Sequence, residues 1–179
     1  MRFSSHSTNQ KKQAFTLIEL LVVIAIIAVL AGLLFPAGQS ALNSAKKTTA
    51  KQQVVSIATA ITAYETEYGC LPSNSGSVYP GPVDSTLVKL LCTTNNSRGL
   101  VFLEAMAWKS GKGGTNSSGA FCDPFSITNV YQVSLDTTYA SQITVPTNAS
   151  GATATITKHV GVWTIPTVGK TNVLINSWD

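Results

Sequence analysis

An apolar run from Phe15 to Phe35 constrains this chain more than any other part of its sequence. All of its 21 residues are clearly hydrophobic except Thr16, Glu19 and Gly32. A helix needs roughly 20 apolar residues to cross the hydrocarbon core of a bilayer, so this run is long enough to span a membrane. A carboxylate at the centre of such a helix costs about 2.5–3.5 kcal/mol, and such groups are usually paired. We therefore expect another group to meet Glu19.

The residues before this run argue against a cleaved secretory signal peptide. Signal peptides have an apolar region of about 7–15 residues, which a small-residue cleavage site follows. Here the run is longer, and the small-residue junction between Ala14 and Phe15 precedes it. Lys11 and Lys12 predict that the N-terminal side stays in the cytoplasm, because basic residues favour that side. The sequence therefore predicts a single-pass membrane segment.

The stretch from Phe15 to Ile26, FTLIELLVVIAI, resembles the N-terminus of type IV pilins and type II secretion pseudopilins. The likeness extends to Pro36, where these families often carry a helix-bending proline. It implies that a prepilin peptidase cuts between Ala14 and Phe15 and methylates the new amine, which gives N-methylphenylalanine. It also implies that Glu19 neutralises this amine, on its own or a neighbouring subunit, during assembly. The residue before the cut is usually glycine in the family, and Ala14 stands there in this chain.

The sequence predicts that the apolar helix continues well beyond Pro36. Residues after it recur at steps of three and four and form one apolar stripe: Val54, Ile57, Ala58, Ile61, Tyr64 and Tyr68. Gly69 is a C-cap signal, so the helix should end at Tyr68. Such a helix from Phe15 would be about 80 Å long. We expect a bend at Pro36, which removes a backbone donor.

The remainder of the chain predicts a small head. Asp84 signals the start of a short helix that ends near Leu91. The apolar stretch Leu100–Leu103 predicts a buried segment of either type. Strand signals begin after Pro124, at residues 131–135, 153–165 and 173–178. An antiparallel sheet of these strands would bury its apolar face against the helical stripe.

These elements predict an α+β fold in which a long N-terminal helix packs on a small antiparallel sheet. The same architecture is the pilin fold that the resemblance implies. The chain then divides into a basic leader at residues 1–14, a membrane or filament-core helix at 15–36 and a periplasmic or extracellular head at 37–179.

A second, looser resemblance points to the major pseudopilins. The sequence CDPF at Cys122–Phe125, followed by VYQV at Val130–Val133, is similar to their Asp-Pro-Trp-Gly and Tyr-x-Tyr region. Phe125 replaces the tryptophan, and Ser126 replaces the glycine. The end of the chain, from Gly161 onward, is similar to their C-terminal strands.

The cysteines and carboxylates indicate little about metals. Cys70, Cys92 and Cys122 form no CxxC pair, so zinc is not indicated. In a head outside the cytoplasm we expect one disulfide, with Cys70 and Cys92 as the first choice, and buried free thiols are the alternative. Major pseudopilins commonly bind calcium near the C-terminus, but residues 164–170 contain no carboxylate. We therefore predict no metal and no cofactor, and calcium is the case to test.

The sequence contains no catalytic constellation. His159 is the only histidine outside the leader, no GxSxG motif is present, and the eight carboxylates are scattered. Without the leader, nine basic residues face eight acidic ones, so a nucleic-acid partner is not expected. The cluster Lys46–Lys51 is interpreted as a solvated helix face or a contact with anionic lipid headgroups. We expect a structural protein and not an enzyme.

The resemblance implies a structural subunit of a type II secretion pseudopilus, which polymerises after processing and drives protein export. Its expected partners are other pilin-like subunits, prepilin peptidase, the bacterial inner membrane and the assembly platform there. Two alternatives stay open. One is a type IV pilus or competence pilin for adhesion, motility or DNA uptake, and the other is a membrane-anchored binding domain that never polymerises.

Overall fold

The computed structural model describes residues 15–72, 80–92 and 96–179 of the chain. Its contacts divide the chain into two units, Met1–Ser40 and Ala41–Asp179. The first contains the beginning of the N-terminal helix. The second contains the rest of that helix and all the strands, so the architecture is the predicted α+β class.

The N-terminal helix α1 (Leu17–Tyr68) confirms the predicted long helix. Gly69 ends it with φ of 69°, a left-handed conformation that glycine adopts without a steric penalty. The N–H of Gly69 donates to the Glu65 carbonyl at 2.8 Å, as expected of a C-cap. Pro36 lies within α1, and the bend expected there stays a prediction.

In the first unit, α1 exposes its apolar side chains on all sides. Their exposed fractions range from 46% at Val23 to 82% at Leu17. Among the residues that the structure describes, α1 is the one helix long and apolar enough to span a membrane. A helix that is apolar all round requires an apolar surrounding, because water does not favour it.

In the second unit, α1 buries one face in the head. Val54, Ile57 and Ile61 are fully buried, whereas Val55 on the opposite face is 44% exposed. Ala58 and Tyr64 pack against the same core from its edge. The apolar stripe predicted from the spacing of these residues is therefore confirmed.

The described residues of the head form one short helix and ten short strands. Helix α2 (Ser85–Leu91) begins after Asp84, whose Oδ1 accepts the N–H groups of Thr86 at 3.1 Å and Leu87 at 2.9 Å. The strands are β1 (Gly81–Pro82), β2 (Gly114–Thr115), β3 (Phe121–Cys122), β4 (Gln132–Leu135), β5 (Ile143–Pro146), β6 (Thr153–Ile156), β7 (Val160–Thr164), β8 (Thr167–Val168), β9 (Thr171–Asn172) and β10 (Ile175–Asn176).

Four of these strands form the main antiparallel sheet, in the order β1-β4-β7-β10. Val133 of β4 pairs with Val162 of β7, and both are fully buried. They face the core that α1 and α2 also line. Pro82 is on the edge strand β1, where a residue without a backbone donor is tolerated. The other strands pair as hairpins: β2 with β3, β5 with β6, and β8 with β9.

A smaller second core lies between the β5–β6 hairpin and β7. Ile143, Val145 and Trp163 are buried there, and the Trp163 and Trp178 rings meet edge to face at 5.9 Å. Gly161 allows this approach, because a Cβ at that position would lie 2.8 Å from Ile143 Cδ1.

Three details of the predicted head are wrong. Strands do not begin after Pro124, because β1, β2 and β3 precede it. Residues 153–165 form two strands and not one, since a turn divides β6 from β7. In the apolar stretch 100–103, Leu103 is buried, but Val101 is 58% exposed, so the stretch lines the head surface as well as the core.

Candidate assembly site

The first turn of α1 holds Glu19 in a reciprocal capping box with Thr16. The N–H and hydroxyl of Thr16 donate to Glu19 Oε2 at 2.8 and 2.7 Å. In return, the N–H of Glu19 donates to Thr16 Oγ1 at 3.3 Å. Each side chain thus satisfies a backbone donor that the start of a helix leaves without a partner. Within one subunit, the residue that contacts the Glu19 carboxylate is Thr16, three positions earlier in the chain.

The capping box leaves half of the carboxylate available. Both Thr16 donors use Oε2, and the structure shows no hydrogen bond to Oε1 from the residues that it describes. Phe15, directly before the box, is 77% exposed. An exposed carboxylate oxygen, fixed at a helix N-terminus beside an accessible residue, can accept a cationic N–H group.

The sequence itself carries a signal for this geometry. Thr16 and Glu19 have the spacing S/T-x-x-E before an apolar run, which is the signature of a capping box. The cost of a carboxylate in a membrane indicates that Glu19 needs a partner, but it does not identify Thr16 as that partner. Ala14, the other processing residue predicted from the resemblance, lies outside the described residues.

A family model for the prokaryotic N-terminal methylation motif matches residues 9–35. Residues 9–35 therefore carry a pilin-like N-terminal methylation motif, in the same part of the chain that resembles type IV pilins and pseudopilins. Comparisons with curated proteins and with solved structures find no match. The pilin-like segment implies processing by prepilin peptidase and polymerisation with pilin-like subunits, and it fits a single-pass membrane anchor.

The cysteines of this pilin-like chain are free thiols in the structure. Cys70 is exposed and Cys92 is half-buried, and a disulfide between these two stays a prediction. Cys122 is buried in β3, where its thiol donates to the Ile127 carbonyl at 3.0 Å. Burial raises the pKa of Cys92 and Cys122, and the nearby Asp123 charge also raises that of Cys122. Both therefore remain thiols near neutral pH.

Asp123, in the region that resembles major pseudopilins, is a fully buried carboxylate. Its Oδ1 accepts the N–H groups of Phe125 at 2.9 Å and Ser126 at 3.1 Å, which closes a turn after β3. Its Oδ2 accepts the hydroxyl of Thr164 at 2.8 Å and the side-chain amide of Asn129. Four donors replace water around this carboxylate, so it fastens the turn to β7.

Asp136 is the second buried carboxylate, and it organises the loop after β4. It accepts the N–H groups of Ala140 at 3.0 Å and Ser141 at 2.6 Å, and the hydroxyl of Thr138 at 3.0 Å. His159 Nδ1 lies 3.2 Å from its Oδ2. Burial acts to raise the pKa of Asp136, but these hydrogen bonds and the histidine outweigh it, and the pKa is lower than usual.

Ser141, His159 and Asp136 contact one another in the same sequence as the serine, histidine and aspartate of a hydrolase triad. Ser141 Oγ lies 3.4 Å from His159 Nε2. A hydrolase also needs backbone N–H groups directed at the oxyanion of the transition state. The N–H of Ser141 already donates to Asp136, and the side chain of His159 is 47% exposed. The arrangement therefore fits a structural role, in which Asp136 holds the loop after β4, better than a catalytic site.

The described residues contain no group of three His, Cys, Asp or Glu side chains that could hold a metal ion. Asp136 commits both oxygens to protein donors. Asp179 Oδ2 accepts the side-chain amide of Asn176 at 2.6 Å. Calcium binding by the head stays a question for experiment.

Proposed function

We propose that this chain is a structural subunit of a type II secretion pseudopilus. After cleavage before Phe15, subunits leave the membrane and polymerise through their apolar helices, and growth of the filament drives protein export. The observation that carries the proposal is the first turn of α1, where Glu19 is held by Thr16 on one oxygen and open on the other. The local resemblance at residues 122–133 favours the secretion role over a pilus role.

The capping box supports a specific assembly step. Cleavage would give Phe15 a cationic amine, next to the helix N-terminus that carries Glu19. The Oε1 atom of Glu19 can then pair with the Phe15 amine of an adjacent subunit, while Thr16 retains Oε2. Because a charge is costly in hydrocarbon, this pairing favours the register in which both charges meet. The exposed apolar side chains from Leu17 to Leu34 would be covered by equivalent helices in the same filament.

Three variants at this turn separate charge from capping. Glu19→Gln keeps a hydrogen-bonding side chain at the capping position but removes the charge, and Glu19→Ala removes both. Thr16→Ala keeps the charge and weakens the cap by about 1 kcal/mol. We expect all three to insert in the membrane, the two Glu19 variants to lose filaments and Thr16→Ala to assemble less efficiently. Membrane fractionation and electron microscopy of sheared filaments measure these outcomes.

Filaments of normal yield and register from Glu19→Gln would exclude charge pairing as the assembly step. Mass spectrometry of the purified chain provides an independent control. It should show methylated Phe15 at the new N-terminus, and Ala14→Gly should give cleavage at least as complete. An intact Met1 in the membrane-bound protein would instead support a plain anchor.

The secretion role is tested by deletion of the gene in its native host. We expect loss of exported proteins from the medium, with restoration by the wild-type chain and not by Glu19→Gln. Loss of adhesion, motility or DNA uptake with normal export would instead assign the chain to a type IV pilus or competence pilus.

A further inference from the structure

Two lysine-bearing segments, distant in sequence, meet around Phe125 in the head. Lys46 lies on α1, and its Nζ is 5.7 Å from the centre of the Phe125 ring, a cation–π distance. Phe125 lies in the turn that Asp123 closes. Its N–H donates to the buried Asp123 carboxylate, which fixes the position of its backbone. The half-buried ring leaves part of its surface available to a partner.

A second pair of lysines is fixed beside the same turn. Lys109 and Lys112 flank a tight turn, in which the Lys112 N–H donates to the Lys109 carbonyl at 3.0 Å. The Gly111 N–H donates to the Pro124 carbonyl at 3.0 Å, directly before Phe125. On the other side, Gln53 Nε2 of α1 donates to the Lys112 carbonyl at 2.7 Å. Two separate anchors thus hold this turn against α1 and Phe125.

The charges of Lys46, Lys109 and Lys112, here named the lysine patch, have no ion-pair partner among the described residues. Lys109 and Lys112 are exposed. Asp123 is close in the chain, but it is fully buried and its oxygens accept protein donors. The lysine patch therefore presents one positive charge over the Phe125 ring and two on the turn that is hydrogen-bonded to Pro124, directly before Phe125.

We propose that the lysine patch and Phe125 form a docking surface for anionic phospholipid. Lysines supply attraction to anionic headgroups, and a half-buried aromatic ring suits the interface between headgroups and acyl chains. The proposal depends on membrane anchoring by α1 and not on polymerisation.

The anchor also restricts how far this surface can be from the bilayer. Lys46 lies 11 residues after Phe35, the last residue of the apolar run. Eleven residues span at most about 40 Å, even in a fully extended chain. The headgroup layer adds about 5–7 Å to each side of the hydrocarbon core. A tethered lipid surface is thus available at high local concentration, unlike a soluble polyanion.

Lysine acetylation in nanodiscs tests this proposal on the full-length chain. One copy per disc, in phosphatidylcholine alone or mixed with phosphatidylglycerol, is treated with an amine-reactive ester, and mass spectrometry gives the rate at each lysine. We expect the anionic lipid to slow acetylation of the lysine patch at least about fivefold per site. Lys89 and Lys158, exposed elsewhere on the head, should react at equal rates in both discs. High salt should remove the protection.

A matched pair of variants identifies the surface. Lys109→Gln with Lys112→Gln should remove most of the protection of Lys46, whereas Lys89→Gln with Lys158→Gln, an equal change of charge, should not. Melting followed by tryptophan fluorescence verifies that both variants fold. Equal acetylation in the two lipids, or unchanged protection of Lys46 in the first variant, would overturn the proposal. Protection by duplex DNA in neutral discs, without protection by anionic lipid, would assign the surface to nucleic acid instead.

Discussion

The two parts of α1 have similar apolar side chains and opposite surroundings. Ile24, in the first unit, is 57% exposed, whereas Ile57, in the second, is fully buried by the head. Among the described residues, the second part of the helix is buried in the core of the head, and the apolar side chains of the first part are exposed. The apolar side chains of the first part must be covered by lipid or by other subunits, because exposing them to water is unfavourable.

The carboxylates of the two parts differ in the same way. Glu19 is held by a residue three positions away, so its contacts survive any change in the surroundings of the helix. Asp123 is held partly by Thr164, 41 residues later, and therefore depends on the folded head. The contacts of Glu19 are thus local to one helix turn, whereas those of Asp123 depend on the folded head.

The largest expected effect comes from Ile57→Ala. Removing a fully buried isoleucine costs about 2–5 kcal/mol, because transfer energy is lost and a cavity remains. Ile24→Ala removes the same atoms from the first unit and should leave the stability of the head unchanged. All three tryptophans (Trp108, Trp163 and Trp178) lie in the head, so denaturant titration followed by tryptophan fluorescence in detergent measures its unfolding.

Equal losses of stability in these two variants would contradict the division between the parts of α1. A second control on the same turn of the helix sharpens the test. Val55→Ala, at a 44% exposed position, should cost less than about 0.5 kcal/mol.

Asp123→Ala should have the next largest effect. It leaves the N–H groups of Phe125 and Ser126 and the Thr164 hydroxyl without their acceptor, which costs about 2–3 kcal/mol in a buried setting. Asp123→Asn keeps an acceptor for the turn and should cost less. The same fluorescence titration measures both, and a loss no larger than that of Val55→Ala would show that the turn does not depend on this carboxylate.

The sequence predicts α1 well because its signals are local. The apolar run, the stripe at steps of three and four, and the C-cap Gly69 each depend on neighbours within a few residues. Asp84 predicts the start of α2 for the same reason. The capping box at Thr16 and Glu19 was equally accessible from local spacing.

The parts that were not predictable depend on distant contacts. Strands of two residues, such as β1 and β3, carry no period and exist only because β4 or β2 is placed beside them. The lysine patch depends on the turn from Lys109 to Lys112, which Gln53 of α1 holds by a hydrogen bond and which sequence spacing does not indicate. Asp123 and Asp136 are likewise buried only because the head is folded around them. Their positions in the sequence do not distinguish them from the other carboxylates.

The smallest expected effect is the pH dependence that Asp136 gives to the head. Its pKa is lower in the folded chain, so the unfolded chain binds a proton more readily. The stabilisation is complete above the ordinary aspartate pKa of about 3.9 and is lost as the pH falls through the lower folded pKa. Asp136→Asn should therefore flatten the acid limb of a plot of melting temperature against pH and leave it unchanged in shape near neutrality. If the acid limb of Asp136→Asn is as steep as that of the wild type, other carboxylates of the head cause the fall of the melting temperature in acid. Because Glu19 lies outside the head, Glu19→Gln should leave the same acid limb intact.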